Sequence, residues 1–436
     1  MGGEAGAPDT DGSSDAGASS EAAGGADDTS DEGEGGAGGA TDMPTLSDIV
    51  SGKLLDAAGV PVSGAAVEIA GKVVTTNSSG AFEVKGVLAS YDAVIVAEAQ
   101  GEVTVYEGLT TRTPALRLVI ATGMARTATI RGTLSGGAGF PLPGEHRAAL
   151  LIDGARPAVE PEVTDASYSM SDVAWYGAES RTFTVGALSW AVDASGLPKS
   201  YDGYGEKSVT VNDGGTVGML DGSTPETNIE LSPIGSRRVT GNVSVPSGCT
   251  PELSIGPSNM NIISDVTPAG AFSYVLPTLP KRLVYITLSC AFSGGGYSYI
   301  DMAIGAESSV AVDGVPTPQL SLPVDGASYV RSDTPFAWST EQTQYSVVQF
   351  EYGDWSIFHF GTKLSTSFPD LSRFGIPFPA EETVTWRVYA LGRRPAVNGT
   401  TDDALDDSPL AEDESSSWAV SPTRTFVTAP PPTDDR

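Results

Sequence analysis

Histidine and cysteine are almost missing from this chain of 436 residues, with two of each. A Ser-His-Asp or Cys-His relay would have to form around His146 or His359, which fall in different parts of the sequence. There is no G-x-S-x-G elbow, no H-E-x-x-H, no G-x-x-x-x-G-K-[ST] and no dinucleotide fingerprint in a strand–helix setting. No Cys-x-x-Cys occurs, so the cysteines do not read as a zinc site. Small sandwiches seldom hold the paired-carboxylate cleft of a glycosidase, so the expectation is a protein that is not an enzyme. Positive charge is scarce too. Lys and Arg number 24 against 55 Asp and Glu, a net charge of -31. Nucleic acid and anionic lipid surfaces are therefore poor partners, because each phosphate contact needs a cation. No apolar run approaches the ~20 residues of a membrane-spanning helix. Long apolar periods of 3.6 residues are also missing.

What is present is turn chemistry. Gly 52 and Pro 30 punctuate short alternating runs, the mark of an all-β chain. One phrase recurs three times. An apolar-x-Gly-x-apolar run is followed later by x-Phe-x-apolar. The copies are Val50-Ser51-Gly52-Lys53-Leu54 with Ala81-Phe82-Glu83-Val84, Ile130-Arg131-Gly132-Thr133-Leu134 with Thr182-Phe183-Thr184-Val185, and Val239-Thr240-Gly241-Asn242-Val243 with Ala271-Phe272-Ser273-Tyr274. Such repeats point to one small sandwich strung in tandem. Phe82, Phe183 and Phe272 are expected at one shared buried position. The expected fold class is all-β: tandem Ig-like or transthyretin-like β-sandwiches behind a disordered acidic N-terminal tail.

The tail, residues 1–44, has no Lys or Arg before Met43 and no apolar period, so ordering it would cost more than burial returns. The chain carries no signal peptide at its start; Gly2 follows Met1 directly. Either the protein is cytoplasmic, or a leader and a lipid anchor were lost from this sequence. The second reading places it extracellularly or on an outer-membrane surface. Cys249 and Cys290 lie in one repeat, and in an oxidising compartment they would bridge its strands; the alternative is two buried thiols.

The string G-x-(apolar)-x-D-x-x-G-x-P-(apolar)-x-G-A-x-(apolar) from Ile49, then T-x-x-x-G-x-F-x-(apolar)-x-G-(apolar), then Tyr91, resembles the carboxypeptidase regulatory-like domain, a transthyretin-like sandwich. The match runs to about Val96. The resemblance implies a structural or recognition module without catalytic residues, within a wider group of carbohydrate-binding-like sandwiches. It assigns residues 45–122 to this domain and 126–235 and 236–315 to diverged copies. Residues 316–430 resemble a fibronectin type III-like domain through Trp338 and the alternating Val384, Trp386 and Val388. A short disordered tail, 431–436, follows.

Binding candidates are few. Trp175, Tyr176, Tyr201 and Tyr204 are expected on loops of the second unit, where exposed rings stack on sugars or simply cover a sandwich end. An acidic loop runs through Asp402, Asp403, Asp406, Asp407, Glu412, Asp413 and Glu414, but it lacks a calcium-binding register, so no cofactor or metal is assigned. The reading is a monomeric, non-enzymatic surface or secreted protein for structural display or adhesion. Its partner would be a surface glycan or another surface protein. Alternatives are a carbohydrate-binding protein and an accessory subunit of a secreted enzyme or surface machine.

Overall fold

The computed structural model describes residues 48–431, except 89, 123, 141, 143, 154–155, 158–161, 165, 221–222, 258–259, 266–269, 281, 306–308, 342–344 and 393–416. The expectations for the N-terminal tail, the acidic loop Asp402–Glu414 and the end from 432 lie outside the described residues. The fold is all-β, built of tandem sandwiches, with three short 3-10 turns as the helical content of the described residues.

The first sandwich has seven strands: β1 (Val50–Leu55), β2 (Ala66–Ile69), β3 (Lys72–Thr75), β4 (Ala81–Val84), β5 (Tyr91–Ala97), β6 (Glu102–Leu109) and β7 (Ala115–Arg117). One sheet runs β4-β1-β7 and the other β3-β2-β5-β6. Polar side chains set the turns. Asp56, wholly buried, accepts the N–H groups of Ala58 and Val60 at 2.9 and 2.8 Å. Asn77 accepts those of Ser79 and Ala81 at 2.9 and 3.0 Å. The second oxygen of Asp56 reaches Thr122 N at 2.7 Å. Glu102, also wholly buried, accepts Val119 N and Ile120 N at 2.6 and 3.0 Å. Two buried carboxylates thus hold the connector to the next sandwich.

The second sandwich contains β8 (Ala125–Gly136), β9 (His146–Ile152), β10 (Arg156–Pro157), β11 (Glu162–Thr164), β12 (Ser167–Tyr176), β13 (Ser180–Val192), β14 (Pro198–Asn212), β15 (Thr216–Val217) and β16 (Ile229–Leu231). The third contains β17 (Gly235–Ser244), β18 (Cys249–Gly256), β19 (Ile263–Asp265), β20 (Gly270–Thr278), β21 (Val284–Phe292), β22 (Tyr297–Ile304) and β23 (Ser309–Asp313). All three repeat one ladder. The opening strand, β1, β8 or β17, pairs antiparallel with β4, β12 or β20, and parallel with the last strands, β7, β15 and β16, or β23.

Register explains the repeated glycine. Gly52 lies opposite Phe82 and Gly241 opposite Phe272. In the second sandwich Gly132 lies opposite Tyr168, and Ile130 opposite Met170. A Cβ on any of these glycines would overlap the facing ring and a backbone carbonyl on the other side, that of Pro114, Thr227 or Val310. Bare backbone is what lets the ring cross it. The expectation for Phe183 is thereby corrected. Phe183 is buried, but it sits on β13 in the other sheet, opposite Val209 and edge-on to Trp175. Tyr168 takes the shared position, and its hydroxyl donates to Thr227 O. Phe272 is only partly buried.

The fourth sandwich has β24 (Gln319–Leu322), β25 (Ala327–Val330), β26 (Phe336–Ser339), β27 (Tyr345–Tyr352), β28 (Trp355–Gly361), β29 (Ser365–Thr366), β30 (Thr383–Gly392), β31 (Ser417–Val420) and β32 (Arg424–Thr428). Its core gathers Phe350, Trp386 and Phe426 around Phe336, with ring centroids 4.8–5.2 Å apart.

The chain does not run as a row of sandwiches with limited interfaces, the arrangement that tandem repeats suggest. The fourth lies between the first and third. Strand β28 pairs parallel with β6, and β31 pairs antiparallel with β22. One fourteen-stranded sheet results. An edge strand leaves N–H and C=O groups unpaired, and these two pairings satisfy them. The apolar cores merge accordingly: Phe358, Phe360 and Tyr389 pack with Leu109 and Leu116, while Val96, Val103 and Val105 pack with Phe350 and Trp386.

Candidate functional site

Parallel pairing places His359 opposite Val105, with Glu107 two residues further along β6 on the same face. Both side chains enter a cleft of about 670 Å3 beside the seam. Its floor is apolar, with Val94, Leu371, Ile376 and Phe378; Asp92, Asp333 and Asp370 stand around it. His359 Nε2 is 3.1 Å from Glu107 Oε1, and Lys363 Nζ is 3.2 Å from Oε2. The His359 side chain is 9% exposed and that of Glu107 19%. The hydrogen bond from His359, with Lys363 adding to it, holds the Glu107 carboxyl below the usual glutamate range despite its burial.

Thr366 Oγ1 lies 2.9 Å from His359 Nδ1 and 3.5 Å from Nε2. It therefore sits to the side of the ring rather than along one nitrogen lone pair. A hydroxyl–imidazole–carboxylate relay needs the hydroxyl in line with the base. The three groups are suited to holding polar groups at the seam, and their geometry is poor for a nucleophile.

The aromatic candidates of the second sandwich are placed differently from the expectation. Trp175, Tyr201 and Tyr204 lie on strands and are buried. Trp175 Nε1 donates to Ala178 O at 2.8 Å, and its ring packs on Phe183. Tyr201 donates to Val275 O at 3.0 Å, across to the third sandwich. Tyr204 donates to Glu206, which also receives Arg282 of the third sandwich. Arg282 binds Asp153 through two hydrogen bonds of 2.6 and 2.7 Å. The glycines that flank Tyr204 give access to the segment 230–232 rather than to a ligand. Tyr176 alone of the four is exposed, at 40%. The four do not form one cluster.

Cys249 and Cys290 are joined across β18 and β21, with Cα atoms 5.2 Å apart. Among the described residues no group of three His, Cys, Asp or Glu side chains is arranged to hold a metal. No described helix is long and apolar enough to cross a membrane.

Glu107, Lys363 and Thr366 were not candidates on sequence. His359 stood out only as one of two histidines. A single polar residue inside Phe358-His359-Phe360 was the available signal, and it could not name a partner 252 positions earlier.

No protein-family model matches the sequence, and no curated protein is similar to it. Solved structures with some likeness include the N-terminal four Ig domains of Dscam1 isoform 4.44, at 8% identity and TM-score 0.15, covering 87% of this chain and 98% of that one. A fimbrial assembly protein from Parabacteroides distasonis gives 7% identity and TM-score 0.15, covering 50% and 96%. The major pilin subunit of Bacillus cereus gives 9% and 0.11, covering 61% and 98%. At such scores the likeness carries no functional implication.

Proposed function

We propose that this chain is a non-enzymatic, exported surface protein for structural display or adhesion. The observation that carries the reading is the continuous sheet. Three sandwiches are joined edge to edge by backbone hydrogen bonds, so a pull or a contact at one is shared by the others. A disulfide in the third suits an oxidising compartment. The glycine–aromatic pairing at Gly52–Phe82, Gly132–Tyr168 and Gly241–Phe272 supports reading the first three sandwiches as carboxypeptidase regulatory-like modules. The core around Trp338 and Trp386 supports a fibronectin type III-like fourth.

The seam cleft is the contact point for a partner, either a surface protein or a glycan. The glycan reading moves here from the second sandwich, because this cleft combines an apolar floor with carboxylates and a histidine. The test is surface labelling. Antibodies to the folded protein should label intact cells of its source, and external protease should remove the signal. Labelling that appears only after lysis would overturn the proposal. A glycan array, repeated with Glu107→Gln, separates the two kinds of partner.

A further inference from the structure

The three repeated sandwiches share one outer strand. In each, it follows its neighbour as an antiparallel hairpin and ends its own sheet: β6 after β5, β14 after β13, β22 after β21. Two of these edges are occupied. Strand β6 receives β28 and β22 receives β31. The equivalent edge of the second sandwich is the longest strand of the described chain, and among the described residues it ends the sheet β14-β13-β9.

Local register shows which groups are left over. Asp213 N donates to Glu179 O, so Lys207, Val209 and Val211 turn their amides toward β13. The alternate residues point outward. At Tyr204 the outward groups are taken, since Tyr204 and Ser232 exchange both backbone hydrogen bonds. Ser208 and Thr210 come next along the same edge, and no described strand pairs with them there. The stretch Lys207-Ser208-Val209-Thr210-Val211-Asn212 has no Pro, no Gly, one charge and no register shift against β13. Thr182 and Thr210 hydroxyls, 2.8 Å apart, tie it flat to its neighbour. Proteins usually protect such an edge with prolines, bulges or charges.

We propose that the free edge of β14 is an interface for a second copy of this chain, joined antiparallel about a two-fold axis through Val209. The occupant is argued from the molecule itself, which fills the two equivalent edges by strand addition. The two-fold arrangement makes the patch self-complementary. Ser208 of one copy then faces Thr210 of the other and exchanges both backbone hydrogen bonds with it. Glu206 faces Asn212, so no like charges stand opposite each other. Inner-face Val209 and Val211 are already buried in their own core, so the joint is made by backbone hydrogen bonds, and outer-face Ser208 and Thr210 continue the polar surface. The net charge of -31 opposes association over longer range, so salt promotes it.

The test is the mass of the full-length protein by sedimentation equilibrium across a concentration series at physiological and low salt. The expected result is a doubled mass at physiological salt that falls toward the monomer at low salt. Thr210→Pro removes an outward N–H and leaves the β13 ladder intact, so it should return the monomer with an unchanged far-ultraviolet circular dichroism spectrum. Ser208→Glu combined with Thr210→Glu places carboxylates opposite each other and should do the same if the proline variant fails to fold. A wild-type monomer at every concentration, or a dimer that survives the double glutamate variant, would overturn the interface.

Discussion

The first and second sandwiches carry the same ladder and use their surfaces differently. The first gives its outer strand β6 to the fourth sandwich and shares its core with it. Among the described residues, the second pairs the outer side of β14 only at Tyr204, with Ser232, and puts its aromatic residues elsewhere. Leu188, Trp190, Tyr201 and Tyr204 join Met260, Val275 and Leu279 of the third sandwich in one cluster. The same module is thus joined to a neighbour either through backbone or through side chains. A backbone joint is indifferent to sequence and hard to see in it. A side-chain joint needs large rings, and these resemble binding residues when read from sequence alone.

The comparison breaks most sharply at the shared aromatic. Phe82→Ala and Tyr168→Ala should each cost about 3–5 kcal/mol, through lost burial and a residual cavity. Phe272→Ala should cost less, because its ring is only partly buried. Phe183→Ala should also be costly, without mimicking Tyr168→Ala structurally. Denaturant melts of the four variants check this. A Tyr168→Ala protein as stable as wild type would remove the equivalence with Phe82.

Reducing the Cys249–Cys290 bridge should cost ~3–4 kcal/mol in the chain-entropy model, since it closes a separation of 41 residues. Mass spectrometry of unreduced peptides from exported material should show the linked pair. Two alkylatable thiols there would reject it.

Next is the side-chain joint. Arg282→Met leaves Asp153 and Glu206 without their cation. Asp153 is 45% exposed and stays solvated, so the loss should be about 1–2 kcal/mol. Tyr201→Phe, which removes only the bond to Val275 O, should cost about 1 kcal/mol. If hydrogen exchange at the second–third junction does not change in either variant, these side chains do not hold the sandwiches together.

The smallest effect is pH dependence at the backbone joint. The Glu107 carboxyl is held low by His359, so its contribution is present above the ordinary glutamate range and fades as pH falls through the lowered value. Glu102, on the same strand, behaves oppositely. Burial raises its pKa despite the bonds from Val119 and Ile120, so its stabilisation is fullest below the ordinary range and lost as pH rises through the raised value. Glu107→Gln should flatten the acid limb of a stability–pH curve, and Glu102→Gln the limb above it. Acid limbs that coincide in wild type and Glu107→Gln would remove the seam pair from the account.

The sequence made the local layer legible. Gly and Pro between short alternating runs announced the turns and the all-β class, and the alternation of Val384, Trp386 and Val388 is the burial pattern of β30. The ring belonging to Gly132 was misread because Phe183 matched the phrase by letter. Spacing pointed the other way: the ring follows its glycine by 30 residues in the first copy and 31 in the third, against 36 for Tyr168 and 51 for Phe183. The seam was not legible. Edge pairing such as β6 with β28 is made by backbone atoms, which every residue possesses. The cleft follows from that pairing, so Glu107 and His359 could not be joined before it was seen.

The most direct test of the joined sheet is amide hydrogen exchange on the full chain, resolved to the strands Glu102–Leu109 and Trp355–Gly361. If β6 and β28 are paired, both strands should exchange as slowly as the core strands β5 and β27. Rapid exchange of β28 and β6 together, with β5 and β27 still protected, would show two separate sheets and contradict the account.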